Sequence, residues 1–312
     1  MRNNATIIRK ANETLTTGGV THGLLNPEQA QRFIQQTFEA TPLSALVRHE
    51  MRRAKSGEID KIGIASRILR KKVENTDDGY RAKPNFGAVE YATTAVRLPW
   101  EITEETLREN IEGQGLETTI TGLMTRQLGI DREDLCINGD TATPSADADY
   151  EFLSVNDGWV KQIVNGGHVV DRTSESAGAM SIDVFYDCLR SLPNKYNNGA
   201  LRWLMSPHRR QEWERYILDK AITVGGIISD RRVENPVSIP AVEVPSMPDD
   251  KIVLTNPQNL IVVNTYDVII RKTTEGKEAI MQDKRFYVVH FDFDAIIEEL
   301  DAAAIITGLA AL

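Results

Sequence analysis

The chain has 312 residues, 41% hydrophobic and 26% charged, the proportions of a globular protein with a sizeable core rather than a disordered, fibrous or membrane-spanning one. Its 36 Lys and Arg against 45 Asp and Glu give a formal charge of −9, which argues against tight, sequence-reading DNA binding, because nucleic-acid affinity comes mostly from neutralising phosphates. Cys136 and Cys188 lie far apart with no CxxC or Cys/His cluster, which argues against zinc and against a disulfide framework.

Met1 is followed by Arg2 and the polar stretch Asn3 to Thr6 rather than an apolar signal, so synthesis in a cytoplasm is expected, and no window approaches the ~20 apolar residues of a membrane span. Met1 to Leu25, with Gly18, Gly19 and Gly23, reads as an arm. Asn26 as N-cap and Pro27 at the first helical position start a short helix that ends near Thr41 and Pro42. From Ser44 to Trp100 the pattern predicts a long two-stranded excursion. Its outgoing limb runs to Val73, its turn holds Asp77, Asp78 and Gly79, and its β-rich return limb spans about Ala88 to Trp100. Between Arg48 and Arg97 about a dozen Lys and Arg stand against about seven Asp and Glu, leaving the remainder markedly acidic. A ribbon of this length has little core of its own and needs a partner surface, on its own body or on a neighbouring chain.

Thr103 caps a short helical pattern through Ile111, broken at Gly113 and Gly115. The longest periodic element follows, a helix from about Leu116 to Ile137 with one tolerated Gly122 and a kink expected at Gly129. Beyond the polar loop Thr141 to Tyr150, an α+β section runs to Asn264. It has helices at Gly158 to Asn165, Ser181 to Leu192 and Pro207 to Leu218, and strands at Leu201 to Met205, Val237 to Val244, Lys251 to Thr255 and Asn259 to Asn264. Val268 to Thr273 and Ala279 to Phe293 are two strong strands, and an apolar run, Ala302 to Thr307, ends the pattern.

The candidate chemistry is sparse. Period-2 geometry lines up His290, Asp292 and Asp294 on one strand face, a ligand set for a divalent cation, against the simpler reading of a wetted face. His49–Glu50 lacks the second histidine of a zincin helix, since position 53 is Arg53, and His168 and His208 have no nucleophile at motif spacing. Gly18–Gly19 and Gly225–Gly226 match no phosphate-binding loop. The basic series Arg67, Arg70, Lys71 and Lys72 suits an exposed strand that pairs with an acidic neighbour better than it suits DNA.

The order of elements resembles the HK97-like major capsid proteins of tailed bacteriophages. ITEETLREN (Ile102 to Asn110), LCINGD (Leu135 to Asp140) and RFYVVHFDFDAIIEELDAAAIITG (Arg285 to Gly308) look similar to phage coat sequences. The resemblance implies an α+β fold. It divides the chain into an N-terminal arm and short helix (1–43), an E-loop hairpin (44–100), a P-domain with its spine helix (101–150) and an A-domain (151–264). The long P-domain strands (265–301) and a C-terminal strand returning toward the A-domain (302–312) complete it. It implies a non-enzymatic, cofactor-free shell subunit that assembles with itself in the host cytoplasm into the virion capsid. Scaffolding, portal and decoration proteins would be its partners, and the packaged double-stranded DNA would touch it only weakly. On this reading Arg67, Arg70, Lys71 and Lys72 lie over a neighbour's Glu104, Glu105, Glu109 and Glu112, and Gly113, Gly115 and Gly129 are hinges of the spine helix. An encapsulin shell and, more remotely, a metal-dependent hydrolase built on His290, Asp292 and Asp294 are the alternatives.

Overall fold

The computed structural model describes residues 41–64, 67–71, 74, 79–109, 116–173, 180–224, 235–266 and 268–310. The arm, the helix expected at 26–41, Lys72, Glu112, Gly113, Gly115 and Gly225–Gly226 lie outside them, as does the side chain of Glu109. Strands β1 (Arg48–Met51), β2 (Ser56–Gly63), β3 (Asn85–Ala92) and β4 (Thr94–Thr103) precede helices α1 (Glu104–Glu109), α2 (Leu116–Asn138), α3 (Tyr150–Leu153) and α4 (Trp159–Gly166). Then come β5 (His168–Asp171), α5 (Ile182–Ser191), β6 (Arg202–Met205), α6 (Pro207–Val224), β7 (Ala241–Glu243), β8 (Ile252–Thr255) and β9 (Leu260–Asn264). Finally β10 (Ile269–Thr273), α7 (Lys277–Gln282), β11 (Lys284–Ile297) and β12 (Ala304–Thr307) close the chain.

The first sheet is organised by β11, whose 14 residues pair antiparallel with β4 from Lys284 opposite Thr103 to Phe293 opposite Thr94. Along the other edge β9 and then β10 follow each other, and β1 adds on parallel to β9. Because successive side chains of a strand point to opposite faces, Tyr287, Val289, Phe291, Phe293 and Ala295 share one face. On that face they are buried against Ile120, Leu128, Leu135 and Ile137 of α2. Trp100, directly opposite Tyr287, stacks on it with ring centroids 5.2 Å apart, an arrangement worth about 1 kcal/mol beyond simple burial.

The second sheet runs β5-β12-β8-β6-β7. Every residue of β8 is buried, as a strand covered on both faces must be. On one face Trp203, Met205, Ile252, Leu254 and Ile306 meet Val184, Phe185 and Cys188 of α5 and Trp213 of α6. The ring of Phe185 stands edge-on to both Trp203 (4.9 Å) and Trp213 (5.0 Å). On the other face Leu204, Val253 and Ile305 pack with Trp159, Val160 and Ile163 of α4 and join the core of the first sheet. The apolar run near the C-terminus thus sits in the middle of this sheet, between β5 and β8.

Several elements depart from the sequence reading, the short helix α3 among them. Among the described residues the paired ribbon is β2 with β3, because β1 and β4, which flank it, belong to the first sheet. The strand expected over Ala279 to Phe293 begins only at Lys284. Gly276, at φ 134°, lets the chain turn into the helix-forming run of α7, and Asp283, in the left-handed region at φ 49°, ends it. The strand expected at Val237 to Val244 is cut to β7, behind a 3-10 turn at Pro236–Ser238 whose Pro236 carbonyl accepts the Trp203 indole N–H at 3.0 Å. Strand β5 had no counterpart in the reading. Helix α2 matches the expected span and runs unbroken through Gly122 and Gly129.

Candidate intersubunit surface

The root of the β2–β3 ribbon is held on its own subunit. In β2 and β3 the alternation sends Ile59, Val89 and Tyr91 to one face, where they close over Ile261, Val263 and Ile296 on the side of the first sheet away from α2. Tyr91 lies across the strand from Gly57, and a Cβ at that glycine would come 3.0 Å from the phenol oxygen, so a larger residue there would push the ring aside by a few tenths of an ångström. Polar pins surround this apolar seal. Lys61 donates to the Glu298 carbonyl at 3.0 Å and pairs with Glu299 at 3.1 Å, Lys55 pairs with Asp292 at 3.1 Å, and Ala92 N–H donates to Asp294 at 2.8 Å.

These pins account for the strand row that suggested a metal. His290 is exposed opposite Arg97, whereas Asp292 is buried, paired with Lys55 and bonded by the Thr265 hydroxyl at 3.3 Å. Asp294 receives the Ala92 N–H, and burial raises its carboxyl above the usual range. Each carboxylate is engaged in holding the ribbon, and among the described residues no group of three His, Cys, Asp or Glu is placed to hold a metal ion. His208 does meet a serine and an aspartate, but with Asp249 in the centre. Ser206 donates its hydroxyl to Asp249, His208 lies 3.2 Å from the other oxygen of the same carboxylate, and Ser206 accepts Arg209 N–H as the cap of α6. A hydrolytic triad needs the imidazole between the other two, so this set does structural work. His49 approaches the Ser44 carbonyl at 2.7 Å, in a turn whose Ser44 N–H donates at 3.0 Å to Glu133 on α2, one turn beyond Gly129.

Beyond its root the ribbon exposes several large side chains. Ile62 and Phe86, paired across the strands, are 71% and 69% exposed, and Leu69 is 94% exposed. Arg67, Arg70 and Lys71 are exposed near the tip, with the Arg70 guanidinium 3.6 Å above the ring of Tyr80.

The expected acidic counterpart at the start of α1 is not one open surface. Glu105 is exposed, but Glu104 is clasped by Arg285, which donates to both its oxygens, one at 3.0 Å, and also reaches Glu117 at 3.3 Å. Lys272 completes the network on Glu117. The sequence did hold the signal for this: Arg285 falls in period with Tyr287 and Val289 on the buried face of β11, where a guanidinium survives only with anions beside it.

No protein-family model matches the chain. It is 28% identical over 318 residues to YqbE of Bacillus subtilis (strain 168), which carries the provisional name of a prophage capsid protein; the match takes in 96% of this chain and 97% of that one. Among solved structures it is similar to the satellite phage P4 procapsid with its size-determination protein (TM-score 0.64, 16% identity, 90% of this chain and 99% of that one). The capsid of an empty GTA particle gives a TM-score of 0.61 at 11% identity, covering 98% of both chains. The SrpI encapsulin of Synechococcus elongatus PCC 7942 gives 0.50 at 14% identity, covering 99% of this chain and 96% of that one. Two sheets sharing a core, a long helix under β11 and a ribbon reaching off the body, matched along nearly the whole chain by these shells, give this chain the HK97-like fold of phage capsid proteins.

Proposed function

We propose that the chain is the structural subunit of an icosahedral phage head, assembling with itself into capsomers and then a closed shell around double-stranded DNA, and that it catalyses no reaction. The observation that carries this is the end-to-end likeness to capsid proteins of nearly equal extent, with the ribbon in place. In the terms of that fold, 1–43 is the arm and short helix, 44–100 the E-loop, 101–150 and 265–301 the P-domain, and 151–264 with 302–312 the A-domain. Shell stability then comes from many repeated modest contacts, which is why no single deep site is needed. The acidic chain leaves packaged phosphates unneutralised, so DNA slides during packaging and ejection. Scaffolding and portal proteins direct closure in the host cytoplasm, and decoration proteins attach outside. Arg67, Arg70, Lys71 and Lys72 reach a neighbouring subunit. Gly113, Gly115 and Gly129 allow the spine helix to bend in a precursor shell.

The likeness to an encapsulin favours a second reading, a shell around protein cargo. Electron microscopy and nuclease digestion of particles from the protein expressed alone and together with the neighbouring phage genes decide the matter. Closed particles that protect DNA from nuclease are expected when packaging is complete. Particles that copurify with an enzyme would select the second reading, and a monomer that never closes would refute both.

A further inference from the structure

The face of the ribbon turned away from the body has an ordered chemistry. Opposite the face that carries Ile59, Val89 and Tyr91, register and alternation place Glu58 across from Glu90, Asp60 across from Ala88, and Ile62 across from Phe86. All of these side chains are exposed, and none of the three acids has an ion pair or side-chain hydrogen bond among the described residues. Two like charges directly opposite each other in an antiparallel pair repel, so Glu58 and Glu90 weaken the hairpin unless a cation comes between them. A cross-strand pair of large apolar side chains, both more than two-thirds exposed, is likewise a surface awaiting cover. Farther out the same ribbon carries Arg67, Arg70 and Lys71, all exposed. The outer face of β2 and β3 thus runs from an acidic root to an apolar end, and exposed basic residues follow in the chain.

We infer that the outer face of the ribbon root is the seat for the ribbon tip of a second copy of this chain. The basic tip of one subunit lies on Glu58, Asp60 and Glu90 of the next, with Ile62 and Phe86 buried beneath it. The occupant follows from charge: the root lacks the cations that the tip offers in excess, and the α1 acid Glu104 is already satisfied by Arg285 at home. Because root and tip are different surfaces of one element, the contact is head-to-tail, and repeated around an axis it closes a ring. This rests on the shell-subunit reading and adds to it which surface receives the ribbon.

The test is a charge swap read by electron microscopy and sedimentation. E58K/E90K keeps two like charges opposite each other, so the hairpin's own balance is unchanged in kind while the seat is reversed. Loss of closed particles is expected for it, loss again for R67E/R70E/K71E, and recovery when the five substitutions are combined. A second measurement is independent of variant folding: D60C paired with R70C should give a ladder of disulfide-linked oligomers on a non-reducing gel of assembled particles. Normal particles from E58K/E90K, no recovery in the combined variant, or no ladder would overturn the inference. Absence of particles from the unaltered chain would instead bring down the shell-subunit reading itself.

Discussion

Ile59 is the place to test whether the ribbon root is a separable docking unit. Its side chain is buried against Ile261, Val263 and Ile296, a patch of the first sheet that, among the described residues, packs with Ile59, Val89 and Tyr91 of the ribbon. Ile59→Ala removes three carbons, at about 0.8 kcal/mol each, so docking should weaken by about 2 to 3 kcal/mol once a small residual cavity is included. The chain's main core, which lies on the opposite face of β11, is untouched. The loss should therefore appear as local opening rather than global unfolding: the undocked state becomes roughly 30- to 150-fold more populated, since each 1.4 kcal/mol is a factor of ten. Hydrogen exchange followed by mass spectrometry reads this directly, with faster exchange in peptides covering residues 56–63 and 85–92 and an almost unchanged thermal midpoint. A lowered midpoint with ribbon protection intact would refute the reasoning, because it would mean that Ile59 belongs to the common core and the ribbon has no hinge at its root.

Arg285→Ala should leave Glu104 without its cation on the half-buried edge of the sheet, and Glu117 with Lys272 alone. A loss of about 3 kcal/mol is expected from the shift of the urea midpoint, with Arg285→Lys recovering only part because it cannot donate to two carboxylates as a fork. At Asp249, hydrogen bonds from Ser206 first and then His208, against some desolvation, hold the carboxyl below its ordinary 3.8. A carboxyl depressed on folding stabilises the fold at pH above its unfolded value, and that contribution is lost as pH falls through the lower folded value. The gap in thermal midpoint between the unaltered chain and Asp249→Asn should therefore be widest near neutrality and shrink below pH 3.8. A gap of constant size would show that the pairing contributes nothing.

The longest elements were legible in the residues themselves. Helix α2 occupies its expected span and buries Ile120, Leu128, Leu135 and Ile137, although Leu123 and Ile130 stay exposed, and the alternation of β11 marks the buried side chains from Arg285 to Phe291 but not Asp292, which is buried as well. What escaped depends on residues distant in the chain. Arg48–Met51 reads as the start of the ribbon because nothing local reveals that its partner is Leu260–Asn264. The four residues of β5 carry too little pattern to stand out before a parallel neighbour, β12, is known. The run KEAIMQ was absorbed into the following strand, although Gly276 and Asp283 mark its two ends. Glu104 looked available for another subunit because its partner, Arg285, lies at the far end of the sequence. The composition of the ribbon was plain, but which half stays at home was not: Ile59 and Ile62 are the same residue type three positions apart, and only sheet register places one inside and one outside.

That division has a physical consequence for assembly. A ribbon free along its whole length would lose most of its conformational freedom when a neighbour captured it, at a cost of about 0.5 to 1.5 kcal/mol for each immobilised side chain before any backbone ordering. Here the root is already fixed by Ile59 and Tyr91 against the sheet, by Lys61 on Glu298 and Glu299, and by Lys55 on Asp292. The ordering cost of the root is thus met during folding, before subunits meet. On the proposed contact, what remains for the encounter would be burial of Ile62 and Phe86 and pairing of exposed charges, terms too small to hold two subunits irreversibly. A shell needs contacts of that size. A misplaced subunit must be able to leave, and only when every ribbon in a ring is engaged does the sum of weak contacts make departure slow.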